Sequence, residues 1–166
     1  MQPPVALDAR TARILPWLVA IAFFMQTLDG TILNTALPAM AGDLNEDPLR
    51  MQSVVIAYML TVALLIPASG WIADRFGTRR IFFGAIALFS LGSLLCALAE
   101  SLSMLIGARV IQGLGGGGLM ILSQAITGDL IPPRVRAAYM APMGAMFGVS
   151  SVLGPLLGGW LTDSIS

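Results

Sequence analysis

Residues 70–80 read Gly-Trp-Ile-Ala-Asp-Arg-Phe-Gly-Thr-Arg-Arg, a short charged loop between two long apolar runs, Met51–Ala73 and Ile81–Ala99. Each run has the ~17–25 residues that a membrane-spanning helix requires. Three more runs of that kind follow from the same reading: Ile14–Met40, Leu102–Leu130 and Ala137–Leu161. The connections are short and polar: residues 42–50, 74–80, 100–101, and a break at Pro132-Pro133 followed by Arg134 and Arg136. In lipid every backbone group must be satisfied internally, so a span is a helix or belongs to a closed barrel. Barrel strands are ~10 residues of alternating polarity, and runs this long and continuous are not.

Composition agrees. Hydrophobic residues make up 57% of the chain and charged ones 11%, with a mean hydropathy of +0.85, against about 25% charged in soluble domains. The expected fold is therefore all-α and integral to the membrane, with residues 1–13 as a cytoplasmic tail and residues 14–166 holding five transmembrane helices. Nine acids balance nine arginines, which gives no reason to expect a nucleic-acid partner. Cys96 is the one cysteine and lies in an apolar run, so no internal disulfide can form; it reads as a small packing residue. With no His, one Cys and no paired carboxylates on a span, neither a catalytic constellation nor a metal site is expected.

Short cytoplasmic loops retain positive charge. Arg10 and Arg13 precede span 1, Arg75, Arg79 and Arg80 follow span 2, and Arg134 and Arg136 follow span 4, whereas the opposite side carries Arg50 among five acids. The amino terminus is expected inside and Ser166 outside, in a cytoplasmic (inner) membrane. A cleavable signal peptide is the rival reading of the first span, with Ala39-Met40-Ala41 as a small-x-small site. The apolar segment is longer than a signal core of ~7–15 residues, so the span is expected to stay.

Two isolated charges lie within the spans. Asp29 is 15 residues beyond Ile14, roughly 22 Å from the inner edge at about 1.5 Å per residue. Arg109 is 7 residues past Leu102, roughly 10 Å from the outer edge of a layer ~30 Å thick. Both therefore fall at nearly one level and can meet if spans 1 and 4 are neighbours. Charges at this depth cost ~2.5–3.5 kcal/mol on insertion scales, so they face a cavity or a partner. Gly113-x-Gly115-x-x-Gly118 fits a dinucleotide fingerprint literally, but no strand precedes it. These glycines read instead as a smooth helix face, with Gly113 and Gly117 in a small-x-x-x-small pair. Gly144, Gly148, Gly154, Gly158 and Gly159 give span 5 the same character, and Pro155 removes one helical hydrogen bond and is expected to bend it.

Four segments together resemble the major facilitator superfamily. Gly70-x-x-x-Asp74-Arg75-x-Gly77-x-Arg79-Arg80 looks like its cytoplasmic loop between helices 2 and 3, although Thr78 stands where members often have Arg or Lys. Leu28-Asp29-Gly30-Thr31 through Pro38 resembles the first-helix motif of drug:proton antiporters, in the branch with 14 spans. Arg109-x-x-Gln112-Gly113 looks like the fourth-helix motif, whose Arg is associated with proton coupling. Gly154-Pro155-x-x-Gly158-Gly159 resembles the fifth-helix antiporter motif, with Ala141 and Ser150 where the longer pattern has Gly.

The resemblance implies the amino-terminal half of such a fold, in which helices 1 and 4 are counterparts in an inverted three-plus-three repeat and line a central cavity. It implies Asp29 and Arg109 as a proton-coupling pair: a carboxylate beside a guanidinium favours its charged form, and loosening the contact lets it take a proton. Gln26, Asn34, Gln112, Met120 and Gln124 are candidate cavity residues. The loop is expected to act as a latch for one access state, with Asp74 near a helix end and Arg75, Arg79 and Arg80 pairing with it or with anionic lipid.

The implied function is proton-driven export of lipophilic or cationic small molecules, with the proton gradient in place of a cofactor. The implied partners are the bilayer and a carboxy-terminal half of the same transporter; the resemblance says nothing of a periplasmic adaptor. Such transporters have two six-helix halves, so five spans read as a fragment or as a truncated product that cannot transport alone, with the fragment favoured. A transporter for one specific solute and a non-transporting membrane interaction protein are the alternatives.

Overall fold

A computed structural model describes residues 9–130 and 133–165. They form five helices: α1 (Ala9–Asp43), α2 (Pro48–Phe76), α3 (Thr78–Ala97), α4 (Leu102–Leu130) and α5 (Pro133–Ile165). Among the described residues there is no strand. Each helix contains a stretch long and apolar enough to cross a bilayer.

The breaks have local causes. Asn45 sits at φ 53° in the turn after α1. The Asp47 carboxylate then accepts the Leu49 N–H at 2.8 Å and Pro48 opens α2, the pairing of an acceptor cap with a proline that has no N–H to lose. The most abrupt break corrects the sequence reading. The loop expected over residues 74–80 is a single residue, Gly77, because α2 continues through Phe76 and α3 begins at Thr78. Gly77 stands at φ 91°, a conformation that other residues adopt only with strain. Its N–H donates to the Ala73 carbonyl at 2.8 Å, closing α2, while its own carbonyl accepts from Arg80 and Ile81 at 3.1 and 3.2 Å, opening α3. Smaller corrections are of the same kind. Helical turns extend into polar flanks, so α1 starts at Ala9, inside the expected tail, and α5 at Pro133. At the other extreme α3 stops at Ala97, two residues short of Ala99, where Leu98 caps it. The α5 helix runs through both Pro142 and Pro155.

α4 is the centre of the bundle: 61% of its spanning stretch is buried, against 22% or less in the other four. Its glycines explain how. A side-chain carbon added at Gly113 or Gly117 would meet Thr61 or Leu65 of α2 within 3 Å, and one at Gly115 would run into the backbone of Ala85 and Phe89 on α3. Successive residues on a helix point about 100° apart, so this run lets two neighbours approach α4 from different sides. α1 and α5 pack in the same manner, Gly154 against Thr31 and Gly158 against Thr35. Gly144, Gly148 and Gly159 have nothing within 4 Å of an added carbon, so tight contact does not extend to them.

Two apolar clusters fill the space around α4, and a smaller third, Val19, Ala20 and Met143, lies between α1 and α5. Of the two around α4, one joins Ala22, Ala73, Phe82, Ala85, Phe89, Leu119 and Leu122, and the other joins Ala41, Met51, Val54, Leu102 and Leu105. On α1, α2 and α4 a gap separates the residues of the two clusters, and on α3 it lies between Phe89 of the first and Cys96, which packs against the second.

Candidate functional site

That gap holds the polar side chains. Asp29 on α1, Tyr58 on α2, Ser93 on α3, and Arg109 and Gln112 on α4 lie between the two clusters along their own helices. Apolar layers on either side keep the local dielectric low, which strengthens polar contacts and raises the cost of leaving any of them unmade.

Arg109 and Asp29 form an ion pair, Nη1 to Oδ2, at 2.7 Å, with side chains 3% and 21% exposed. The same Nη1 donates to Gln112 Oε1 at 2.7 Å, and Gln112 Nε2 donates to Asp29 Oδ1 at 2.8 Å. The three side chains thus close a ring in which each carboxylate oxygen has its own donor. Gln112 is 0% exposed, and its second N–H goes to Ser93 Oγ at 2.7 Å. Cys96 Sγ approaches Gln112 Oε1 at 3.7 Å. On the other side, the Arg109 guanidinium lies 5.4 Å from the centre of the Tyr58 ring, a cation–π distance. Gln26 Nε2 donates to the Gly116 carbonyl at 3.1 Å and reaches the Tyr58 hydroxyl at 3.4 Å. Among the described residues, Arg109 Nε and Gln26 Oε1 are buried without a hydrogen-bond partner, a donor and an acceptor at the edge of the network.

The structure therefore brings Asp29, Arg109, Gln112 and Gln26 into one network, and leaves Asn34, Met120 and Gln124 exposed outside it. Gln112 is fully enclosed, and both its N–H groups are used, so it braces the ion pair from within. Cys96 packs against the Met51 and Leu105 cluster, as a small packing residue should, and also touches the Gln112 amide. Tyr58 and Ser93 were not expected at all. None of the five candidate cavity residues lines the apolar groove of about 650 Å³ between α1, α3 and α4, whose walls include Leu18, Ile21, Met25, Phe82, Phe83 and Ile86.

At the junction of α2 and α3, Asp74 belongs to neither of the two ion pairs found among the described residues, Arg50–Glu46 and Arg109–Asp29. Arg75 lies 5.6 Å from the Trp71 ring centre and 5.9 Å from that of Phe76, and Arg79 lies 6.0 Å from that of Phe83. The expected pairing of Asp74 with these arginines is thus absent within the described residues, and the Arg75 and Arg79 guanidinium groups each lie by an aromatic ring of their own helix. Gly70 has open space around it, and Arg80 is exposed.

The sequence matches the profile of the Major Facilitator Superfamily over residues 19–166. The chain belongs to this superfamily. Similar proteins include three that carry the name multidrug resistance protein MdtD. The one from Yersinia enterocolitica serotype O:8 is 51% identical over 150 residues, covering 90% of this chain and 32% of the relative. That from Serratia proteamaculans is 51% identical over 153 residues, covering 90% and 31%. That from Pectobacterium carotovorum subsp. carotovorum is 48% identical over 163 residues, covering 96% and 34%. The chain spans about a third of the length of these relatives. A superfamily member with five apolar helices is a multi-pass membrane protein, and membership points to a transporter rather than an enzyme.

Proposed function

We propose that this chain is the amino-terminal part of a proton-coupled multidrug exporter of the branch with 14 spans, in which Asp29 and Arg109 couple proton entry to substrate release. The observation that carries the reading is the closed ring of Asp29, Arg109 and Gln112, buried between two apolar layers and tying α1 to α4. The similarity to proteins named for multidrug resistance supports the substrate class.

One negative charge at this depth can be balanced by Arg109, by a proton or by a cationic substrate. Protonation of Asp29 cancels the attraction that holds Arg109 and so weakens the tie between α1 and α4. A ligand with differential affinity for the two arrangements then shifts their populations. Exclusive use of one charge by proton or substrate is what exchange of the two across the membrane requires. Arg109 Nε and Gln26 Oε1, without a hydrogen-bond partner among the described residues, offer a donor and an acceptor to whatever enters.

The test is reconstitution of the full-length transporter in proteoliposomes with an imposed proton gradient, followed by addition of chemically unrelated lipophilic cations. Gradient-driven accumulation of several supports the reading. Accumulation of one solute alone replaces it with a specific transporter, and no accumulation of any replaces it with a membrane interaction protein.

Orientation belongs to the same proposal. Reporters fused after Arg80 should read cytoplasm and those fused after Asp47 the outside, because arginines collect on one side of the spans. An external reading at Arg80 inverts the topology.

The inner-face latch is also part of it. Asp74 lies exposed at the end of α2, unpaired among the described residues, and the latch reading assigns it a partner elsewhere in the transporter. Asp74→Asn in the full-length protein should leave substrate affinity within about two-fold and slow turnover roughly 5–10-fold, the effect of about 1 kcal/mol on an access equilibrium. Unchanged turnover returns the loop to a topology signal.

A further inference from the structure

We propose that α3 is the orienting element of the coupling pair: Ser93 and Cys96 are positioning residues that hold the Gln112 amide with its N–H toward Asp29 and its oxygen toward Arg109. A glutamine amide has two donors and a carbonyl with two acceptor sites. Here all four are engaged, Nε2 by Asp29 and Ser93 and Oε1 by Arg109 and Cys96. Turning the amide over would set its oxygen against the carboxylate and its N–H groups against the guanidinium.

The four contacts differ in what they depend on. Those to Asp29 and Arg109 enforce the orientation only while the ion pair is intact. Those to Ser93 and Cys96 involve neutral groups on a third helix, so they persist when Asp29 is protonated and Arg109 is released. They keep the amide where the next deprotonation needs a donor for Oδ1. Close approach of α3 makes this possible, since at Gly92 an added side-chain carbon would lie 2.5 Å from Gln112 Cα.

The groups facing Asp29 from the packed helices are Tyr58 on α2, Cys96 on α3 and Arg109 on α4. α5 meets α1 through Gly154 and Gly158, and its ionisable residues Arg134, Arg136, Tyr139 and Asp163 lie toward its ends. The orientation rests on the geometry alone; its consequence for turnover rests on the proton-coupled reading above.

Two measurements on the full-length transporter, with any further cysteines replaced, test the proposal. The first is the infrared S–H stretch of Cys96. In the unmodified protein it should sit at the lowered frequency of a hydrogen-bonded thiol. Gln112→Ala should move it to the free-thiol position, and Ser93→Ala should broaden it toward that position. Ser93→Thr, which restores a hydroxyl, should leave it in place. The second is proton-driven export. Ser93→Ala should lower kcat about five-fold with KM unchanged, the effect of one lost hydrogen bond, and Ser93→Thr should restore it.

An S–H band indifferent to Gln112 and Ser93 overturns the proposal, as does a Ser93→Thr variant that behaves like Ser93→Ala. If the band follows both residues while export proves independent of protons, the orienting role stands and the functional reading falls.

Discussion

In the full-length transporter, Asp29→Asn should reduce proton-driven accumulation of a monovalent cation by about 100-fold or more, the scale of losing a side chain that transfers a proton. Asparagine keeps the size of the carboxylate and can still accept from Arg109 Nη1, but it cannot take up and release a proton in this range. Substrate binding should survive in part, and exchange without a gradient should persist. The two partners are not equivalent. Arg109 has 3% of its side chain exposed and Asp29 has 21%, so removing the carboxylate strands a charge that water cannot reach. Breaking a buried pair costs about 3–5 kcal/mol when the remaining charge stays enclosed. Asp29→Ala should therefore lower the yield of folded protein more than Arg109→Ala does. The double variant Asp29→Asn with Arg109→Ala should match Asp29→Asn in coupling, because the two residues act as a unit. Accumulation against a gradient by Asp29→Asn, driven by protons alone, would show the carboxylate to be structural.

Length and charge placement made the helices legible, because in lipid an apolar run has few alternatives to helix. The meeting of Asp29 and Arg109 was legible too, since rise per residue converts sequence into depth. The same arithmetic reaches residues that composition hid. Tyr58 lies 7 residues past Met51, hence roughly 10 Å into its span, as Arg109 does from Leu102. Ser93 lies 12 residues beyond Ile81, roughly 18 Å into a span that runs the opposite way. A hydroxyl gives no signal of its own in such a run, because it is normally satisfied by the carbonyl four residues back. Thr61, Ser69 and Ser150 do this at 2.7–2.8 Å, with Ala57, Leu65 and Met146. Ser93 accepts instead from a neighbouring helix, and only the close approach at Gly92 lets it. The glycine at position 77 was visible as a motif position, while its meaning was not: one residue at positive φ ends one helix and starts the next, with no loop between.

Gly92→Ala should destabilise the full-length protein, whereas Gly84→Ala on the same helix should not. At Gly84 an added carbon meets nothing within 4 Å, so alanine brings only its helix-propensity gain of up to about 1 kcal/mol. At Gly92 the carbon would lie 2.5 Å from both Cα and Cβ of Gln112. These atoms belong to the core helix of the bundle, so relief requires α3 and α4 to part by about 1 Å. Overpacking of this kind costs about 1–3 kcal/mol. The separation also stretches the 2.7 Å contact from Gln112 Nε2 to Ser93, so Gly92→Ala should move the Cys96 S–H band toward its free position and slow export as Ser93→Ala does. Unfolding in a denaturing-detergent titration should place the two variants about 2 kcal/mol or more apart, with Gly84→Ala at or above the unmodified protein. Equal midpoints for the two would mean that α3 and α4 do not touch at Gln112, and the support that α3 gives the coupling pair would go with that contact.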